Sequence, residues 1–266
     1  MAPTPQNTGR SAPAGTLAGA RLDATRSLAP NDDGNSIAGH LTLGTEPLTL
    51  SLSRVAQYVR VNVQDGPIQA TDSYPHFLTG ALAPLNAELG PASRAELTTF
   101  VREGRSARAA GGLFHAWQLI AETTVEGVAG PYVSLLTSRY RYTGGAHGIQ
   151  ETATATWWLD RSGPRRISLG ELFAPGADYV ARLAPLVLAD LRAQGATWVV
   201  QGQVSSLSAH DLALYVLTPA GLSFTFPPYA MGPYVQGTFT VVVPYAKVLD
   251  MAAPNGALQA FASAGR

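Results

Sequence analysis

His147 and Glu151 are the two side chains whose types and spacing first suggest chemistry. They lie in the segment "RYRYTGGAHGIQETATATWW" (139–158), where a histidine four residues before a glutamate invites a metal-binding interpretation. If the segment is a strand, however, the two side chains stand roughly 13 Å apart, too far for both to hold one ion at about 2 Å. We therefore predict no metal site, and expect the His147 ring to hydrogen-bond the backbone of a turn or of a neighbouring strand.

Other catalytic patterns are missing from the sequence. There is no G-x-S-x-G motif, and "GHLTLG" and "TGGAHG" match neither a phosphate loop nor a dinucleotide fingerprint. A pair of distant carboxylates for glycoside cleavage stays open, because two acids far apart in sequence can meet in the folded chain. We predict no catalytic residues, no cofactor and no enzyme activity.

The composition describes a globular chain without a strong overall field. Its 266 residues are 46% hydrophobic and 14% charged, which is sufficient for a buried core. Eighteen basic and eighteen acidic side chains cancel, so neither nucleic acid nor an anionic membrane is a predicted partner. The absence of cysteine excludes disulfides, thiolate zinc sites and a cysteine nucleophile.

Residues 1–44 are mostly small and polar, and we predict that they form a flexible tether. Their start, "MAPTPQNTGRSAPAGT", lacks the basic and apolar parts of a signal peptide, and no apolar run in the chain reaches the roughly 18 residues of a membrane span. Tethers of this composition commonly follow a removed export signal or a lipid anchor. We therefore expect an extracytoplasmic protein, either secreted, periplasmic or lipid-anchored.

Alternation of apolar and polar residues predicts strands in much of the remaining chain. The clearest are "LTLSLS" (48–53), "QYVRVNVQD" (57–65), "FHAWQLIAETTVEG" (114–127) and "PYVSLLTSRYRY" (131–142). Gly144 and Gly145 can adopt the positive φ that a reversing chain needs, so residues 143–148 are predicted to turn into the strand 149–160.

Helical patterns interrupt the strands twice. Ser93 and Glu96 have capping-box spacing and predict a helix over 92–103, after a shorter helix that ends at Gly90-Pro91 and before a loop at 104–112. A second helix is predicted over 178–194 with a kink at Pro185. The fold class is therefore α+β, with antiparallel sheets packed against a few helices.

Two small subdomains are expected to follow the tether. The first is a small α+β subdomain at 45–130, and the second is an α+β subdomain at 131–254 with a tail at 255–266. Trp157 and Trp158 point to opposite faces of their strand, so at most one lies in the core and the other could stack on a sugar or be covered by a helix. Arg139 and Arg141 share a face that is predicted to be solvated or to meet an acidic ligand.

The segment "FTFPPYAMGPY" (224–234) sets large aromatic groups on a stiff, proline-rich backbone. Phe224 and Phe226 are predicted to face the core. For Tyr229 and Tyr234 two interpretations stay open: anchors that dock a partner with little loss of entropy, or caps on the edge of the core.

Several phrases in a fixed order resemble a known extracytoplasmic domain. They are "YTGGAHG" (142–148), "ISLGELFAPGADYVARL" (167–183), "LTPAGLSFTFPPYAMGPYVQG" (217–237) and "VPYAKV" (243–248). Together they are similar to the domain shared by lysozyme-sensing anti-sigma factors of the RsiV type and the non-catalytic region of PdaC-type peptidoglycan deacetylases. The upstream "SYPHFLTGALAPLNAEL" (73–89) looks like the smaller domain that usually precedes it.

The resemblance implies an exported domain that recognises a component of the cell envelope. In the RsiV type it implies binding of a C-type lysozyme through loops that enter the enzyme's cleft. This sequence shows no membrane span, sigma-binding segment or deacetylase domain, so signalling and deacetylation are not carried over. Its neutral charge also lacks the acidic excess that would steer a basic lysozyme.

We predict a non-enzymatic binding module whose partner is an envelope protein such as lysozyme, or a cell-wall glycan. The predicted binding residues lie in the turn and in the aromatic segment: Thr143, Gly144, Gly145, His147, Pro227, Pro228, Tyr229, Pro233 and Tyr234. Two alternatives stay open, namely a glycan-modifying enzyme or glycan-binding accessory domain, and a structural envelope component.

The structural interpretation of His147 makes a direct prediction about metal removal. Adding a chelator such as EDTA should leave the melting temperature unchanged, because no ion contributes to the folded state. A clear drop in melting temperature, reversed by zinc, would contradict it.

Overall fold

The computed structural model of the protein describes residues 20–25, 36–43, 46–53, 55–78, 80–112 and 115–264. The chain divides into two units, residues 1–55 and 56–266. The first unit contains an antiparallel sheet of three strands: β1 (Ala20–Thr25), β2 (Ser36–Leu43) and β3 (Glu46–Ser53). The first two of these strands lie within the predicted tether, whose other residues lie outside the described part of the chain.

A six-stranded sheet in the order β4-β5-β6-β7-β8-β9 forms the centre of the second unit. Its strands are β4 (Ala56–Asp65), β5 (Ile68–Phe77), β6 (Trp117–Ala129), β7 (Tyr132–Tyr142), β8 (Ile149–Asp160) and β9 (Gly163–Ile167). Neighbours pair antiparallel except for β5 and β6, which are parallel. The predicted subdomain boundary at residues 130 and 131 falls in the turn between β6 and β7.

Helix α1 (Asn86–Ala109) is the crossover that makes the β5–β6 pair parallel. The prediction of two helices broken at Gly90-Pro91 was wrong, because one helix runs through Pro91 and continues into the predicted loop. A stripe of buried residues packs this helix on the sheet, with Leu97, Phe100 and Val101 against Ile68 and Leu119. The free energy gained by burying that stripe offsets the loss of the backbone hydrogen bond that Pro91 cannot donate.

The capping-box interpretation of Ser93 was also wrong, because Ser93 lies inside α1 and is buried. Its predicted partner Glu96 instead accepts a hydrogen bond from Arg139 Nε at 2.7 Å, and Glu103 accepts one from Arg141 at 2.5 Å. Both arginines therefore pair with carboxylates of α1, while the Arg141 side chain stays 40% exposed to solvent. Asn86, at the start of the helix, accepts from the Phe77 amide (2.8 Å) and donates to the Phe77 carbonyl (3.1 Å).

A second layer packs on the opposite face of the six-stranded sheet. It consists of the antiparallel sheet β10 (Tyr215–Thr218), β11 (Gly221–Phe226) and β12 (Phe239–Val243), with helices α2 (Tyr179–Ala193), α3 (Thr197–Val200) and α4 (Ala257–Ala264). The buried Ser134 hydroxyl of β7 accepts a hydrogen bond from the Leu217 amide of β10 at 2.9 Å. Helix α2 confirms the prediction over 178–194, and the α+β class is confirmed.

The tryptophans confirm the predicted alternation of β8. Trp157 is buried on the α1 side, whereas Trp158 is half-buried on the side of the second layer. Phe224 and Phe226 are both buried in the core of that layer, as predicted. Among the described helices, none is long and apolar enough to cross a membrane.

A cavity of about 100 Å³ with polar and apolar walls lies between α1 and the sheet. Three buried polar atoms on its wall have no hydrogen-bond partner among the described residues: Asp72 Oδ1, Ser93 Oγ and Trp157 Nε1. Burial raises the pKa of Asp72, the nearby Glu96 carboxylate adds to this effect, and Arg139 opposes it. The ionised form of Asp72 is therefore costly in the folded protein.

Asp72 makes stability depend on pH in a direction that can be tested. Because its pKa is raised on folding, the folded state holds a proton that the unfolded state loses, so stability falls as pH rises from about 4 through the folded pKa. Asp72→Asn should remove this slope and be more stable than the wild type at pH 7, as measured by urea unfolding between pH 3 and 8. Parallel curves for the two proteins would contradict the assignment.

Candidate functional site

The predicted turn at 143–148 joins β7 to β8 and is shaped by its glycines. Gly144 and Gly145 have φ of 113° and 95°, which confirms the expected positive values. The Tyr142 hydroxyl donates to the Gly145 carbonyl at 3.0 Å. Gly148 is buried against the Tyr140 ring, where a Cβ would collide with the ring. The turn is therefore held in one shape by aromatic side chains of its own hairpin.

The His147 ring contacts the turn backbone, as the sequence predicts. Its Nδ1 lies 2.9 Å from the Gly148 carbonyl oxygen. Because a carbonyl only accepts hydrogen bonds, Nδ1 carries a proton and donates it to the Gly148 carbonyl. The His147 side chain itself is exposed. The histidine therefore stabilises the turn and presents one face of its ring to the surroundings.

The aromatic loop, residues 227–238, connects β11 to β12 and begins with a tight turn. The Ala230 amide donates to the Pro227 carbonyl at 3.0 Å, and Tyr229 has a φ of 69°. A type II turn has proline at its first central position and a residue with positive φ, usually glycine, at its second central position. Here Pro228 and Tyr229 occupy these two positions. A tyrosine in the left-handed region costs on the order of 1 kcal/mol, so the fold holds this side chain outward against a local preference.

Gln236 anchors the aromatic loop to the segment between α2 and α3. Its Oε1 accepts from the Thr197 amide at 3.1 Å, and its Nε2 donates to the Gly195 carbonyl at 3.0 Å. The buried Met231 adds a third tie, because its carbonyl accepts from the Trp198 amide at 3.2 Å. Gly232 leaves room for the Gln236 side chain, because a Cβ at position 232 would collide with it. The base of the loop is thus fixed while its tyrosines stay outside.

The structure brings the turn and the aromatic loop together. The His147 ring stacks on Tyr234 with centroids 5.3 Å apart, and Tyr234 in turn contacts Tyr229 at 5.5 Å. We call these three side chains the aromatic cluster. Tyr229 is 61% exposed and Tyr234 is 41% exposed. Two segments about 80 residues apart in the sequence therefore contribute to one aromatic surface.

The other predicted site residues lie around the aromatic cluster without joining its ring contacts. Thr143, Gly145 and Pro233 are exposed, whereas Gly144, Pro227 and Pro228 are partly buried. In the part of the chain that the structure describes, no group of three or more histidine and acidic side chains is arranged to hold a metal ion. The centre of the surface thus consists of the tyrosine and histidine rings.

Two residues that shape this surface were not predicted from the sequence. Val235, next to Tyr234 along the chain, is 89% exposed. For Gln236 the sequence held no signal, because its two backbone partners lie about 40 residues upstream. Ile149 is also exposed, but it pairs with Arg141 and therefore faces the α1 side of the sheet, away from the aromatic loop.

Comparison with known proteins identifies a domain within the chain. Residues 170–246 match the family DUF3298, described as a protein of unknown function, so the chain carries a DUF3298 family domain. The match includes the aromatic loop and ends before α4. No curated protein is significantly similar in sequence. The narrower resemblance to RsiV and PdaC-type proteins stays a prediction.

Two crystal structures of DUF3298 family proteins share the fold. One, from Pseudomonas aeruginosa PAO1, is 17% identical with a TM-score of 0.55 over 75% of this chain and 95% of its own. The other, from Bacteroides fragilis NCTC 9343, is 19% identical with a TM-score of 0.58 over 78% of this chain and 98% of its own. At these identities the likeness concerns the fold alone.

Tyr229 and Phe226 lie three residues apart but differ in burial, so truncating each side chain should change stability by a different amount. Tyr229→Ala should shift the melting temperature by no more than a few degrees, because the ring is 61% exposed. Phe226→Ala, three residues earlier and 2% exposed, should cost about 3–5 kcal/mol of unfolding free energy. Thermal and urea unfolding measure both; a similar loss for both variants would mean that Tyr229 belongs to the core.

Proposed function

We propose that this protein is a non-enzymatic binding module that recognises a protein partner at the cell envelope, with the aromatic cluster at the centre of the contact. The observation that carries the proposal is the stacking of His147 on Tyr234, which joins two separately predicted binding segments. Tyrosine side chains that stay exposed on a fixed backbone are typical anchors of protein interfaces.

The backbone of this surface is held in place by hydrogen bonds, which supports a binding function. The loop is tied at Gln236 and Met231, and the turn is tied by His147 and Tyr142. Because these groups are ordered before a partner arrives, docking loses less conformational entropy. The exposed Val235, next to Tyr234 along the chain, adds apolar area beside the cluster, as expected for the core of an interface.

A C-type lysozyme is the specific partner that we propose to test first. The reason is the resemblance of "YTGGAHG" and "FTFPPYAMGPY" to the RsiV-type domain, whose loops enter the lysozyme cleft. Since the protein is neutral overall, shape and aromatic contacts rather than long-range attraction would provide the affinity. Binding should then change little between low and physiological salt.

The experiment is a calorimetric titration of the protein with a C-type lysozyme at two salt concentrations, with lytic activity followed in parallel. We expect saturable binding that blocks lysis. Tyr229→Ala and Tyr234→Ala should each weaken binding by roughly 1–3 kcal/mol without loss of fold. Tyr58→Ala is the matched control, because Tyr58 is a 51% exposed tyrosine on strand β4.

Two results would overturn the proposal. The absence of both heat and inhibition would remove lysozyme as the ligand. Equal weakening by Tyr58→Ala and Tyr229→Ala would show that the aromatic cluster is not the contact surface.

A further inference from the structure

A groove of about 440 Å³ lies at the other end of strands β7 and β8, away from the aromatic cluster. Its floor is a row of three cross-strand neighbours, because Tyr132 pairs with Trp158 and Trp158 pairs with Arg165. Since β7 runs from Tyr132 to Tyr142, roughly 30 Å of strand separates this groove from the turn at 143–148. The groove is therefore a separate surface.

The three floor side chains form a layered row. The Tyr132 and Trp158 rings are stacked with centroids 6.5 Å apart, and the Arg165 guanidinium lies 5.2 Å from the centroid of the Trp158 ring. Trp158 is only partly buried, and it lines the groove together with Tyr132 and Arg165. The sequence allowed Trp158 either to be covered by a helix or to stack on a sugar; in the fold it lines this groove.

Two short chain segments form the walls and are joined to each other. Phe173 and Ala252 form an antiparallel bridge, and the Ala253 amide donates to the Leu172 carbonyl at 3.0 Å. Glu171, at the start of one wall, accepts two hydrogen bonds of 2.8 Å from the amide and hydroxyl of Ser168. These bonds and an ion pair with Arg165 lower the pKa of Glu171 to about 2 and keep its carboxylate in place.

Asn255 occupies the second wall in a conformation that non-glycine residues rarely adopt. Its φ is 54°. Its backbone carbonyl accepts a hydrogen bond from the Tyr132 hydroxyl at 3.4 Å, and its backbone N–H donates to Gln259 Oε1 at 2.9 Å. These contacts fix the backbone of the residue, and its exposed carboxamide makes no hydrogen bond within the described part of the chain. That group is left to contact a ligand in the groove.

We infer that this groove binds a neutral oligosaccharide. Aromatic surface beside a carboxylate, a guanidinium and a carboxamide suits a sugar, which presents apolar C–H groups next to pairs of hydroxyls. An acidic ligand is not expected, because the ion pair with Glu171 already compensates the positive charge of Arg165. The volume lies within the range of 300–1,000 Å³ that is usual for small-ligand sites.

The test is a titration of the full chain, labelled with ¹⁵N, with chitotriose, cellotriose and, as the charged comparison, trigalacturonic acid. The chain has four tryptophans, and Trp158→Phe identifies the indole signal that belongs to the groove. We expect a neutral trisaccharide to shift that indole signal in a saturable way, and trigalacturonic acid to bind more weakly.

Two variants locate the contact. Asn255→Gly removes the carboxamide while glycine keeps the positive φ, and Arg165→Ala removes the guanidinium beside Trp158. Each should weaken saccharide binding about tenfold, as expected when one ligand hydrogen bond is lost. Arg161→Ala, an exposed arginine in the turn between β8 and β9, should bind like the wild type.

Three outcomes would overturn the inference: an unmoved Trp158 signal with both neutral sugars, wild-type affinity in Asn255→Gly and Arg165→Ala, or a preference for trigalacturonic acid. The inference is independent of the proposed function. Tyr229→Ala should leave saccharide binding unchanged, and Asn255→Gly should leave lysozyme binding unchanged, so either can fail alone.

Discussion

The close contact of strand β10 with the six-stranded sheet is the constraint on which the candidate site depends. The Leu217 amide donates to Ser134, whose hydroxyl also bonds Thr156 at 2.8 Å, so the donor and both hydroxyls are satisfied in a buried place. At Gly127 the β10 backbone comes so near that any Cβ would collide with the Leu217 carbonyl. The turn belongs to β7 and β8, and the aromatic loop belongs to the second layer. His147 can therefore stack on Tyr234 only if the two layers meet in this register.

Within the second layer, local strain and local anchoring work together to expose the tyrosines. The type II turn places Tyr229 at a positive φ, and a residue with no such fixed surroundings would relax from that conformation. Gln236 prevents this by tying the end of the loop to the α2–α3 segment. The loop thereby presents aromatic side chains at the cost of some stability, which is a common property of binding sites.

The strands β7 and β8 connect the two surfaces of interest. One end carries the turn of the aromatic cluster, and the other carries the row of Tyr132, Trp158 and Arg165. The DUF3298 match over 170–246 includes the aromatic loop and the Glu171–Pro175 wall, but neither the turn nor the floor of the groove. Both surfaces therefore combine residues inside the matched region with residues outside it. A segment limited to the match would lack half of each surface.

The sequence by itself determined the local features of this protein. Alternation predicted the strands, paired glycines predicted the turn at 143–148, and proline spacing predicted an aromatic loop with Phe224 and Phe226 inside, because each depends on neighbours along the chain. Tertiary structure determined the features that depend on contacts between residues far apart in the sequence. Packing on the sheet allows α1 to continue through Pro91, and it places Glu96 and Glu103 of that helix beside Arg139 and Arg141. The meeting of His147 with Tyr234 and the groove beside Trp158 arise from contacts between residues far apart in sequence, which no local pattern encodes.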